Sequence, residues 1–179
     1  LARMDLPIFI TANQDLLLEK ALRNQNKSPR TILCPWNNDI EQPDGLNLAS
    51  LQGAVIEPAN PLVFHLFGIW DQSASVVLTE DQYFSFLLRI SAIKDSIPEQ
   101  IRKALADSGL LFLGFQIEEW SFRVIFHSLL SMANANRRSA YTQLAAQLEP
   151  EDERILEPSL ARHYLEEYYK GGGQIDIYW

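Results

Sequence analysis

Three histidines and one cysteine are the residues whose types could bind a metal, attack a substrate or move a proton. Their spacing offers little of that. His65, His127 and His163 have no metal-ligand spacing with Cys34 or with nearby carboxylates, so no metal is expected. Cys34 precedes Pro35 and has no adjacent base to activate it. Glu118 and Glu119 read as first-turn acids of a helix, and Arg137 and Arg138 as a solvated helix end. Polar groups at the ends of apolar runs are more informative. Thr11, Asn13 and Asp15 alternate where the run Leu6 to Ala12 ends, and His65 and Gly68 lie in and just after the run Pro61 to Phe67.

The elements that must position these residues follow from periodicity. Leu6 to Ala12 predicts a strand buried on both faces, and Gln14 to Arg23 a helix with Asn13 as its cap. Arg30 to Cys34, Gly53 to Ile56, Pro61 to Phe67 and Ser75 to Leu78 predict strands, with a loop from Asn37 to Leu51. Thr79 and Gln82 form a capping box ahead of a helix from Asp81 to Ile93. Ser96 and Glu99 form a second, ahead of a helix ending near Ser108. Gly109 to Phe115 predicts a central strand, and Ile117 to Ala133 an amphipathic helix. Tyr141 to Leu148 and Gln174 to Tyr178 are the last expected strands, flanking a helix from about Ser159 to Lys170.

Strands alternating with helices imply an α/β fold, Rossmann-like, with a mostly parallel sheet and helices on both faces. Ligands of such sheets sit beyond the carboxyl ends of the strands. That directs attention to Thr11 to Asp15, His65 to Asp71, Thr79 to Asp81 and Gly114 to Glu119. Each has a plainer reading too. Asn13 suits cap and site alike, and the two roles are compatible, Asp15 complements a helix dipole, and His65 on an apolar strand suits a hydrogen-bonded core histidine. Gly68 suits a turn. Gly114 is small either because a nucleotide approaches or because the strand bends.

Composition narrows the class. The chain has 179 residues, 47% hydrophobic and 21% charged, which suits one globular domain, residues 1–179, and excludes a disordered chain. Its 15 Lys+Arg against 23 Asp+Glu give a net charge of −8, and no basic block is present, so a nucleic-acid partner is not expected. A single cysteine excludes an internal disulfide and a four-cysteine zinc site. No apolar run approaches the ~20 residues of a membrane span. With no signal peptide at the start, the expected setting is the cytoplasm, without a membrane partner. The chain starts at Leu1 and ends in strand-like residues, as a piece of a longer polypeptide would.

Five blocks in order carry a more specific signal. Thr11-Ala12-Asn13-Gln14-Asp15 resembles the Thr-x-Asn-x-Asp segment of the sirtuin superfamily. Pro61 to Gly68 is similar to the strand that leads to that superfamily's His-Gly pair. Val76 to Tyr83, Leu111 to Phe115 with Glu118 to Arg123, and Gln174 to Trp179 resemble later blocks of the bacterial sirtuin-like domains. The likeness covers nearly the whole chain. It is to the zinc-free domains of defence and signalling proteins, many of which cleave NAD, and not to the protein deacylases with their four-cysteine zinc ribbon.

The resemblance implies NAD as substrate or ligand, and no metal. It implies catalytic roles for Asn13 and Asp15, with Asn13 beside the nicotinamide riboside and Asp15 helping to hold the carboxamide. Thr11, Gly68 and Gly114 join them as cofactor-binding candidates. An Asn suits such a site because it donates and accepts hydrogen bonds at once. Two departures stand out. The family's general base is the His directly before Gly, and here that residue is Phe67, leaving His65 as the nearest imidazole and the remaining catalytic candidate. The Gly-rich turn that would hold the pyrophosphate is missing from the chain, as from a C-terminal part of a larger domain. The resemblance therefore implies an NAD-hydrolysing domain of a larger bacterial defence or signalling protein. The alternative is a degenerate module acting as nucleotide sensor or interaction scaffold. The remainder of the parent polypeptide is the expected partner besides NAD, and homo-oligomerisation stays open.

Overall fold

Branched and aromatic side chains make Ile8–Thr11 the first strand, β1. Helical spacing takes over in α1, Leu17–Arg23, which turns Glu19 and Leu22 to the core. Arg30–Leu33 forms β2 and Leu62–His65 forms β3. Two helices follow, α2 at Glu80–Ala92 and α3 at Glu99–Asp107. Then come β4 at Leu111–Leu113, β5 at Gln143–Ala146, α4 at Pro158–Gly173 and β6 at Ile175–Tyr178. The computed structural model describes residues 1–45, 51, 55–92, 97–115, 122, 126, 143–146, 157–173 and 175–179.

The chain divides into two compact units, Leu1–Arg102 and Lys103–Trp179. In the first, three parallel strands lie in the order β1-β3-β2. Chain order and sheet order differ because parallel neighbours need a crossover, and α1 carries the chain from β1 past the place that β3 fills. β3 is buried along its whole length. Beside it Phe9, Leu22 and Val63 form a core cluster, with Ala2 and Leu18 packed against them. The second unit holds β4-β5-β6, again parallel. Its core is aromatic. Phe112 meets Phe122 and Phe126 edge to face, each at 5.4 Å between ring centres, and Ala145, Leu165, Tyr169 and Ile175 complete it. Parallel strands with helices between them make this the expected Rossmann-like α/β fold.

Several expectations need correction. Among the described residues β1 pairs with β3 alone, and only Phe9 of its residues is buried, so it is not a strand covered on both faces. Gly109 to Phe115 yields only the three residues of β4, which among the described residues pairs with β5 alone and leaves Leu111 and Leu113 46% and 38% exposed. The strand buried on both sides is β3. Ser75 to Leu78 forms no strand. Ser73–Ser75 is a 3-10 turn, because the Ser75 hydroxyl folds back to donate to the Gln72 carbonyl at 2.7 Å. Of the strand expected from Gly53 to Ile56, Gly53 and Ala54 lie outside the described residues, and Val55 and Ile56 are not in a strand. The Thr79–Gln82 capping box is present in both directions: Thr79 Oγ1 accepts from the Gln82 N–H, and Gln82 Oε1 from the Thr79 N–H. Ser96, Glu118, Glu119, His127, Arg137 and Arg138 lie outside the described residues. So does the helix expected from Ile117 to Ala133, apart from Phe122 and Phe126, which are helical. Among the described residues, no helix is long and apolar enough to cross a membrane.

Candidate functional site

Parallel pairing brings two distant segments to one end of the first sheet. Thr11 and His65 are register partners, as are Leu33 and His65. The pairing runs one step past the strands, with Leu66 N–H donating to the Thr11 carbonyl at 2.9 Å. The Thr11-x-Asn13-x-Asp15 segment and the His65-Leu66-Phe67-Gly68 segment therefore leave the same edge side by side.

Local hydrogen bonds shape the first segment. Thr11 Oγ1 accepts the Asn13 N–H at 3.0 Å, and Asp15 Oδ1 accepts the Leu17 N–H at 2.9 Å. Asn13 is not the helix cap. The helix begins four residues later, at Leu17, its boundary residue Leu16 makes no side-chain cap, and the carboxylate that reaches the first turn is that of Asp15. The Asn13 side chain is exposed, while its main-chain carbonyl faces His65 Nδ1 at 3.0 Å.

His65 is fully buried and both of its ring nitrogens are engaged. A carbonyl can only accept, so Nδ1 carries a proton toward Asn13. Nε2 lies 2.7 Å from Glu19 Oε1, and the Thr31 hydroxyl donates to that same oxygen at 3.0 Å. Glu19, on α1, is also fully buried. Burial by itself pushes its carboxyl up. The hydrogen bond from His65, a backbone hydrogen bond, the His65 charge and the Thr31 hydroxyl outweigh that and hold it below its ordinary value.

Phe67, where the family has its base, packs on α2, with its ring 5.1 Å from that of Phe86 and 5.7 Å from that of Tyr83. Gly68 then turns at φ +75°, and a Cβ there would run into the backbone and hydroxyl of Ser75. Gln14 ties the neighbouring loops to the site: its carbonyl accepts the Trp70 N–H and its amide donates to the Val77 carbonyl. Gly114 lies in the second unit, at φ +70° with no atom within 4 Å of a built Cβ. Its conformation, and not a close neighbour, favours glycine. Cys34 is buried, and burial pushes its thiol up to about 12. Among the described residues, no three His, Cys, Asp or Glu side chains are grouped to hold a metal.

Glu19 escaped the sequence reading, although a signal was present. It stands three residues before Leu22, on the face that α1 buries, where an acid needs a partner.

A parallel α/β unit with a polar, Asn-bearing cluster at its carboxyl edge belongs to the Rossmann-like class of domain, whose ligands sit at that edge. The family model of the SIR2-like domain matches residues 7–169, and the chain belongs to that family, a sirtuin-like, NAD-related domain. A search of curated proteins finds no match.

Proposed function

We propose that this domain binds NAD at the carboxyl ends of β1 and β3 and hydrolyses it to nicotinamide and ADP-ribose. The observation that carries the reading is the β1–β3 register, which sets an exposed Asn13 side chain beside the His65–Gly68 turn. The donor set suits the nicotinamide riboside end: Asn13 and Thr11 donate and accept, and Asp15 accepts, as a carboxamide and a ribose require. No Gly-rich strand-to-helix turn occurs among the described residues to cradle the pyrophosphate. NAD supplies a cationic leaving group whose departure leaves positive charge on the ribose. Water adds at the anomeric carbon and one proton is released. Asn13 orients the ribose and the water, and its carboxamide oxygen meets the developing charge. His65 is buried and doubly engaged, so it supports Asn13 and takes no proton from water. Asp15 holds the loop through Leu17. We place the domain, by family association, in a larger bacterial defence or signalling protein of the cytoplasm.

Nicotinamide release tests the reading. Asn13→Ala is expected to lower the rate about 100-fold without changing thermal stability, because the side chain is exposed. Absence of release by the unaltered chain at saturating NAD refutes hydrolysis. One observation favours a second reading, a sensor that binds without turnover: Phe67 fills the base position and is packed by Phe86 and Tyr83. Thermal stabilisation by NAD with no nicotinamide formed is its signature. Release that appears only in Phe67→His identifies a lapsed enzyme.

A further inference from the structure

We propose that Glu19 is a positioning residue of the site that acts through His65: its carboxylate orients the imidazole so that Nδ1–H grips the Asn13 main-chain carbonyl and sets where the Asn13 side chain stands. The chain of contacts is short and continuous, from Thr31 Oγ1 to Glu19 Oε1 at 3.0 Å, to His65 Nε2 at 2.7 Å, and from His65 Nδ1 to the Asn13 carbonyl at 3.0 Å. It links three elements of the first unit, with α1 giving Glu19, β2 giving Thr31 and β3 giving His65.

Two observations separate this from ordinary packing. Glu19 Oε2 is buried with no hydrogen-bond partner, so the carboxylate is kept in the core at a cost that an apolar residue would avoid. The far end of the chain of contacts holds a residue with an exposed side chain at the sheet edge where ligands of such folds bind. An imidazole with a free Nε2 could rotate or shift its proton to the other nitrogen, and Nδ1 would then present a lone pair to the Asn13 carbonyl. Two lone pairs repel. The Glu19 carboxylate accepts from Nε2–H, which keeps a proton on each ring nitrogen and fixes the plane of the ring, so Nδ1–H stays aimed at the Asn13 carbonyl. The value of holding Asn13 rests on the NAD reading; the holding itself does not.

The first test uses the unaltered chain. Nitrogen NMR of the His65 ring is expected to show a protonated, hydrogen-bonded Nδ1, and a bare Nδ1 overturns the proposal. The second test is amide hydrogen exchange. Glu19→Ala is expected to speed exchange at Asn13 and Leu17 about tenfold or more while Ile32 and Phe64 keep their protection. Glu19→Gln, whose carboxamide can meet Nε2 as acceptor or donor, is expected to keep the unaltered chain's pattern of exchange at these sites. Uniform acceleration across the sheet, or none at Asn13 and Leu17, overturns the proposal, and if Glu19→Ala does not fold, the ring nitrogens still decide. An NAD titration on the same variants is expected to weaken in step with the exchange. If the unaltered chain binds no NAD, the NAD reading fails, and the nitrogen and exchange results continue to judge Glu19.

Discussion

Two glycines with nearly the same backbone angle isolate what a side chain costs in the left-handed region. Gly68 at φ +75° has the Ser75 backbone where a Cβ would go, and Gly114 at φ +70° has open space. Gly114→Ala is expected to cost about 1 kcal/mol, the penalty of the left-handed region for an L-residue. Gly68→Ala adds a collision with backbone that cannot swing away, and about 3 kcal/mol is expected. Urea unfolding of the two variants reads the difference. Glu19 gives a prediction in pH. Its folded-state carboxyl lies below the ordinary 4.5, so its ionised form is favoured by folding. That contribution is fully present above about pH 4.5 and is lost as pH falls through the depressed folded value. Glu19→Gln, which cannot ionise, is expected to lack this part of the acid limb. The stability gap between the two proteins is then widest near neutral pH and closes on acidification, as unfolding curves across that range will show.

Element boundaries were most legible where the signal is local. Thr79 and Gln82 cap α2 reciprocally, and four residues of sequence suffice to see it. Edge and centre were not legible from apolar runs, since Gly109 to Phe115 and Pro61 to Phe67 look alike while only β3 gains a neighbour on each side. The same limit hid Glu19, whose partner His65 lies 46 residues away. It also hid Gln42. The Gln42 carboxamide accepts the Leu33 N–H and donates to the Leu33 carbonyl, each at 2.9 Å, so a side chain takes the place of a further strand on the open edge of β2. Only the folded edge reveals that match. Gln42→Ala is expected to cost about 1–3 kcal/mol by orphaning both backbone groups of a buried residue. Amide exchange at Leu33 is expected to quicken while Val63 on β3 keeps its protection.

At the scale of the whole molecule, charge sets the terms on which an anionic ligand arrives. The chain carries −8, and NAD is an anion at neutral pH because its pyrophosphate outweighs the pyridinium. The groups that the structure gathers at the carboxyl edge are an amide, a hydroxyl and the Asp15 carboxylate. A site that bound NAD through Lys and Arg would weaken steeply as salt screened those attractions. Here the long-range field repels the ligand, and salt screens the repulsion, since the Debye length shrinks to about 10 Å at 0.1 M. NAD affinity measured by calorimetry is therefore expected to hold level or rise as sodium chloride is increased from a dilute buffer to about that strength. A steep fall would mean that cationic side chains grip the pyrophosphate after all, and binding would then owe more to charge than to the hydrogen-bonding groups around Asn13.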